Sequence, residues 1–280
     1  METSEKIKEM VKQKYAEIAL QEIDMNASSC CGSGGCSTEV YNIMSEDYTT
    51  LDGYNADADL ALGCGLPTQF AKIKKGDIVI DLGSGAGNDC FIARHETGET
   101  GKVIGIDFTP AMINKARENA EKLNFNNVEF RNGDIEKIPV TANAADVVVS
   151  NCVLNLVPDK KKAVCEIFRV LKPGGHFSIS DIVLVGNLPD KIQHAAEMYA
   201  GCVSGAIQRD EYLGIIKQTG FENIIIQKEK AIVIPDDILC NYLNAEEISS
   251  FKTSGLGIFS ITVYAEKPVQ NCCTPESGCC

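Results

Sequence analysis

The side chains best able to do chemistry in this chain are sulfurs. It has thirteen cysteines in 280 residues, and Met1-Glu2-Thr3-Ser4-Glu5-Lys6 with alternating charges behind it does not read as a secretory leader. Cysteines in such a chain bind soft metals or do redox work more often than they build a disulfide framework. They fall into two clusters, Cys30-Cys31-Cys36 and Cys272-Cys273-Cys279-Cys280, with single residues between. Three singles matter most. Cys64 precedes the first predicted strand, Cys152 follows the fourth beside Asn151, and Cys202 lies in a predicted helix that should cap a pocket. A tetrahedral zinc site would show close C-x-x-C pairs, which these three do not form. A three-coordinate soft ion that keeps a lone pair fits them better, and that lone pair can attack a carbon without help from a base. His95, His176 and His194 form no triad pattern and read as structural or surface residues. Cys90, Cys165 and Cys240 sit in predicted helices and read as small buried side chains.

The second chemical feature is Ile78-Val79-Ile80-Asp81-Leu82-Gly83-Ser84-Gly85-Ala86-Gly87-Asn88. A β-branched run ends in an acid, glycines follow at every second position, and a helical pattern opens at Asn88. Glycine serves where the backbone takes positive φ or must approach a ligand closely. The spacing is G-x-G-x-G rather than the G-x-G-x-x-G that sets a pyrophosphate on a helix N-terminus, so a dinucleotide is the less favoured ligand. Asp107, Asp134 and Asn151 stand at the ends of later predicted strands, where ligands of such sheets bind. The Asp107 carboxylate is suited to accept from both hydroxyls of a ribose.

Those residues need a sheet to hold them. Strands over 78–82, 101–107, 128–131, 145–150 and 175–181 alternate with helices over 89–97, 110–123 and 159–171. That rhythm predicts an α/β, doubly wound parallel sheet with helices on both faces. A helix over 4–22 precedes it, 26–37 reads as a loop, and 39–59 as short helical turns. Beyond Asp181 the pattern predicts helices over 190–206, 209–219 and 236–251, strands over 223–227 and 257–265, and a tail without core residues from Glu266. The domain expectation is therefore 1–66 as an N-terminal extension, 67–186 as the nucleotide-binding core, 187–266 as cap and final strands, and 267–280 as tail. A net charge of −13 leaves no basic excess for a nucleic acid backbone. No apolar run reaches the roughly eighteen residues a membrane span needs. The expectation is a soluble, cytoplasmic chain.

The glycine turn resembles the first motif, D-x-G-x-G-x-G, of the S-adenosylmethionine-dependent methyltransferases. Leu62-Gly63-Cys64-Gly65-Leu66-Pro67, Ser150-Asn151-Cys152-Val153-Leu154-Asn155-Leu156 and Tyr199-Ala200-Gly201-Cys202-Val203-Ser204-Gly205-Ala206 narrow the resemblance to the arsenite methyltransferases, from about Tyr15 to Glu266. It implies a Rossmann-like class I fold that binds S-adenosylmethionine. In the family pattern Asp134 and Ile135 border the adenine, Met112 packs on it, and Asn151 with the Gly83 backbone faces the methionine end. Asp81 supports the turn and the amino group. Cys152 and Cys202 hold As(III), and Cys64 adds a third thiolate or forms a disulfide with an N-terminal cysteine. Cys36, 28 residues before Cys64, matches the family separation, with Cys30 and Cys31 as rivals. The implied reaction is methylation of arsenite in arsenic detoxification. The substrate arrives as a thiol conjugate, thioredoxin or glutathione supplies electrons, and the chain works as a monomer. Many members carry a further C-terminal domain, and this sequence stops soon after its last predicted strand. Two other readings stay open: a methyltransferase of a small organic acceptor such as a quinone or sterol-like carbon, and a non-catalytic metalloid-binding protein. The C-terminal cysteine pairs either capture arsenic or take adventitious metal.

Overall fold

Aliphatic runs separated by helices long enough to cross over pair in parallel. In the computed structural model, which describes residues 4–20, 46–186, 205–233, 236–240, 243–253 and 257–269, this yields a seven-stranded sheet of order β3-β2-β1-β4-β5-β7-β6. The strands are β1 (Ile78–Leu82), β2 (Lys102–Asp107), β3 (Val128–Asn132), β4 (Ala145–Asn151), β5 (Leu171–Val185), β6 (Glu222–Ala231) and β7 (Gly257–Glu266). The first five run parallel, and β7 lies antiparallel between β5 and β6. The helices are α1 (Ser4–Leu20), α2 (Pro67–Phe70), α3 (Asn88–Thr97), α4 (Pro110–Lys122), α5 (Lys160–Val170), α6 (Arg209–Thr219), α7 (Asp236–Leu239) and α8 (Ala245–Thr253), with a single 3-10 turn at Leu154–Leu156.

The period of two sorts the strand residues onto two covered faces. Val79, Val103, Val147 and Val149 pack with Phe91, Met112 and Ile113 of α3 and α4. Ile80, Leu82, Ile104, Ile106 and Val148 pack on the other side with Ile167 of α5 and Tyr212 and Ile216 of α6. Gly105 stays bare because a Cβ there would lie 2.6 Å from the Phe130 ring and 2.8 Å from Cys90 Sγ. Helix starts follow local chemistry. Asp159 caps α5 by accepting from the Lys162 amide at 2.9 Å. Pro110 opens α4, but the Thr109 side chain makes no capping bond; Asp107 anchors that corner by accepting from the Thr109 amide at 2.8 Å.

Four expectations change. The Lys172-Pro173-Gly174-Gly175 turn is not a connection before β5 but a bulge inside it. Ala145 pairs with Leu171 and Val147 already with His176, so the extra residues loop out, with Gly174 at φ +79°. Residues 46–59 form isolated turns rather than the short helical ones expected over 39–59, while the loop expected over 26–37 and all but 205 and 206 of the helix expected over 190–206 lie outside the described residues. Cys90 is buried as expected, whereas Cys165 and Cys240 are exposed. Finally, the chain does not leave the core at Glu266. Lys267 is 8% exposed, and its Nζ donates to Asn143 Oδ1 (2.8 Å), Phe168 O (2.8 Å) and Leu171 O (2.7 Å) while lying over the Phe168 ring. Composition hid this because a lysine reads as surface, yet here its ammonium donates to two carbonyls and a side-chain amide at the edge of the core. Lys267→Met strands those acceptors and is expected to lower stability by about 1–3 kcal/mol in urea unfolding; an unchanged midpoint would sink this account.

Candidate functional site

The carboxyl ends of β1, β2 and β4 open into a cavity of about 1060 Å³, a figure that includes open solvent at its mouth. The glycine turn forms its floor. Gly83 takes φ +71° and Gly85 φ +52°, and a Cβ on Gly83 would lie 2.3 Å from Val153 Cγ2. Gly87, at φ +102°, is the N-cap of α3 rather than a wall of the cavity; its Cβ would strike the Phe91 ring. The turn is tied to β2, since the amides of Gly83 and Ser84 both donate to Ile106 O (2.7 and 3.0 Å). Asp107 is fixed from both sides: Oδ2 accepts from the Gly85 amide at 3.0 Å and Oδ1 from Thr109. Burial raises its pKa, and those two amides hold it partly down.

Acid crowds this cavity. Asp59, Asp81, Asp89, Asp107 and Asp134 all line it, against Lys8 as the one basic residue among the described lining residues. Burial, and then the neighbouring Asp89, push Asp81 well above the ordinary carboxylate range, although the Cys90 thiol donates to Asp81 Oδ2 at 3.2 Å. Burial lifts Asp89 to about 6 against hydrogen bonds from Tyr48, Asn151 and Thr68. Ser84 Oγ and Asn88 Oδ1, also in the lining, are buried without a hydrogen-bond partner among the described residues. Stranded polar atoms and crowded carboxylates in a concave site fit a polar ligand that carries positive charge. S-adenosylmethionine, with its sulfonium, ammonium and ribose hydroxyls, fits that description.

One amide joins this cavity to the cysteines. Asn151 Oδ1 accepts from the Cys64 amide at 2.9 Å, and its Nδ2 donates to Gly65 O at 2.8 Å and reaches Tyr48 Oη and Asp89 Oδ2. Ser260 Oγ donates to Cys64 O from β7. The glycines flanking Cys64 permit this approach, because a Cβ on Gly63 would lie 2.5 Å from Asn151 Nδ2 and one on Gly65 2.5 Å from Ser180 Oγ. Cys152, next after Asn151, takes φ +62°, with its amide on Ser180 O at 2.8 Å. A left-handed residue at a strand end redirects the chain sharply, at a cost in strain that functional sites often carry. Cys64 and Cys152 are both buried. Both cysteine segments meet β5 at Ser180, whose carbonyl takes the Cys152 amide and whose hydroxyl lies against Gly65, next after Cys64; burial and then the charge of Asp181 raise the pKa of the Tyr212 hydroxyl well above its ordinary value. Asp181 faces that hydroxyl at 3.4 Å, is fully buried, and is pushed up to about 7 by desolvation.

The methyltransferase-domain family model matches residues 73–220, just over half of the chain. An arsenite methyltransferase of Halobacterium salinarum is 38% identical over 95% of this chain and 68% of its own length. This chain belongs to the arsenite methyltransferase family. A second arsenite methyltransferase, from Aquipseudomonas alcaligenes, is 30% identical over 89% of this chain and 73% of its own length. The crystal structure of an arsenic(III) S-adenosylmethionine methyltransferase from Chlamydomonas reinhardtii superposes with a TM-score of 0.62 at 31% identity, covering 75% of this chain and 68% of that one. The S-adenosylmethionine-dependent class I fold of this family is the fold described above.

Among the residues singled out by sequence, Asp81, Gly83, Gly85, Asp107, Asp134, Ile135 and Asn151 line the cavity. Met112 does not; it is 1% exposed inside the core behind the wall, and Phe108 is in the lining instead. Asn151 does more than face one end of a ligand, since most of its hydrogen-bonding capacity goes to the Cys64 loop and Tyr48. Cys36 and Cys202 lie outside the described residues. Sequence reasoning missed Lys8, Tyr48, Asp59, Asp89, Asp181 and Tyr212. Only Asp89 had a readable signal, as an acid in the first turn of the helix that follows the glycines.

The raised Asp89 gives the site a pH dependence with a definite sign. Below about pH 6 the carboxyl is protonated and attracts a cation weakly; above it the buried charge destabilises the empty protein and favours a bound cation. S-adenosylmethionine affinity is expected to fall by up to about tenfold per pH unit below about 6, and Asp89→Asn to flatten that limb. Calorimetric titration across this range checks it, and a flat wild-type profile is the contrary result.

Proposed function

We propose that this chain transfers the methyl group of S-adenosylmethionine to As(III) held by its own thiolates. The observation that carries the reading is the pair of buried thiols on either side of one asparagine: Asn151 holds the Cys64 loop, precedes Cys152 and lines an acidic cavity suited to the methyl donor. The division of labour follows the domain expectation. Residues 67–186 supply the sheet side of the donor site, 1–66 close it from above and with 187–266 bring cysteines to its edge, and 267–280 adds the terminal cysteine pairs.

Bound S-adenosylmethionine supplies a methyl group on a positively charged sulfur. Asp107 and Asp134 take its nucleoside, with Ile135 against the base; Asp81, Asp89, Ser84 and the Gly83 backbone take its amino-acid end. On the thiol side, Cys152 and Cys202 bind arsenic by exchange from a thiol conjugate, each protein thiol giving its proton to a departing one. Cys64 adds a third thiolate or pairs with Cys36 between rounds. Thiolate binding leaves arsenic a lone pair, so the chain needs no base on the acceptor and only has to aim that pair. Methyl transfer formally oxidises arsenic by two electrons, and a thiol reductant, thioredoxin or glutathione, returns them. None of the described helices is long and apolar enough to cross a membrane; we place the chain in the cytoplasm, as a monomer.

The test is arsenic speciation by mass spectrometry in a reaction of the full chain with arsenite, S-adenosylmethionine and glutathione. Methylated arsenic is expected from the wild type and none above background from Cys152→Ser or Cys202→Ser, with donor binding retained. Full activity in either variant removes the proposed metalloid site. Methylation of a quinone acceptor, with arsenite untouched, removes the function.

A further inference from the structure

The N-terminal helix α1 lies outside the matched methyltransferase domain, yet Lys8 and Tyr15 on it line the donor cavity. They are seven residues apart and so share one face of the helix, together with Val11. Lys8 Nζ donates to Asp134 Oδ2 at 2.7 Å and to Glu136 Oε2 at 2.8 Å, across more than 120 residues of sequence. Both acids are set by other bonds. Asp134 Oδ1 accepts from the Glu136 amide at 2.9 Å, and Glu136, only 5% exposed, accepts from the Asp159 amide through Oε1 at 3.1 Å with Lys162 3.8 Å away.

The apolar hold on α1 runs along one face, where Tyr15 and Ile18 pack half-buried against the core that takes Ala19. Of its residues with a described side chain, only Val11 and Ala19 are buried, while Met10 is 38% and Leu20 80% exposed. A seventeen-residue helix is marginal in water without such packing. It rests against α4, where Lys115 Nζ reaches Ala19 O at 3.4 Å. The Lys8 bridge adds to this packing a polar tie from α1 to two acids beside the cavity, Asp134 in its lining and Glu136 next to it.

We propose that α1 is a strap over the nucleoside end of the donor cavity and that Lys8 fastens it, which makes Lys8 a positioning residue for the methyl donor. The proposal rests on the reading that this cavity takes S-adenosylmethionine. With the strap closed, Asp134 is held in one orientation toward the base and Tyr15 covers the nucleoside. A lysine that acted only by its charge would behave oppositely. It would repel a cationic ligand from a cavity of five carboxylates, and its loss would tighten binding.

The two donor forms separate these cases, because S-adenosylmethionine carries a net positive charge and S-adenosylhomocysteine none. Calorimetric titration of the full-length wild type, Lys8→Met and Lys8→Arg with each compound tests the proposal. Lys8→Met is expected to weaken both by about three- to tenfold, raising KM for the donor with little change in kcat, and Lys8→Arg to restore most of the loss. The chain has no tryptophan, so Tyr15→Trp places a single indole under the strap. S-adenosylhomocysteine should shield that indole from acrylamide quenching, and at higher concentrations when Lys8→Met is added. Tighter S-adenosylmethionine binding by Lys8→Met with S-adenosylhomocysteine unchanged, or quenching indifferent to ligand, overturns the strap. Absence of binding heat from the wild type with both compounds overturns the reading of the cavity, and the strap with it.

Discussion

The hydrogen bonds of one side-chain amide set the distance between the two halves of this site. Asn151 ends β4, holds the Cys64 loop through a backbone bond and a carbonyl, touches the Tyr48 and Asp89 pair, and passes the chain directly to Cys152. An apolar residue there would strip the Cys64 amide of its acceptor and leave the loop to the carbonyl bonds from Tyr48 and Ser260, which do not tie it to the end of β4. Because an asparagine offers both donor and acceptor from one planar group, loop and strand are locked in a single relative orientation. Methyl transfer tolerates little error in approach, so such a lock is where precision has to reside.

The acidic crowd around the cavity has a cost that the fold accepts. Asp81 is 2% exposed, and the half-buried Asp89 lies close enough to raise its pKa further. Two carboxylates so placed oppose joint ionisation, and the empty protein carries that conflict. The Cys90 thiol and the Tyr48 hydroxyl relieve it in part by donating to these acids. A cationic ligand relieves the rest, so part of the donor's binding comes from strain already present before it arrives.

The strands and crossover helices were legible because period-two aliphatic runs ending in Asp81, Asp107 and Asn151 leave few alternatives to a parallel sheet. The glycine turn was legible for the same reason, with Gly83 and Gly85 marking left-handed backbone. What stayed hidden came from elements remote in sequence that meet over the sheet. Lys8, Tyr48 and Tyr212 carry no local mark that separates them from ordinary helix and loop residues, and only packing brings them to the ligand. Met112 is the reverse case, since the family resemblance sets it against the base while its side chain lies in the core behind the cavity wall. Lys267 was misjudged because a charged residue past the final strand reads as tail, and only the three-dimensional arrangement reveals acceptors waiting for it.

The position of β7 bears on how the molecule is made. Within the described sheet β6 pairs with β7 alone, and β7 supplies its other neighbour, β5, from residues about 80 positions earlier. During synthesis β6 therefore emerges with nowhere to dock, and the exposed flank of β5 waits with it until the following strand leaves the ribosome and slides between them. The parallel half, with the donor turn, can mature first; the half that seals Cys64 through Ser260 closes last.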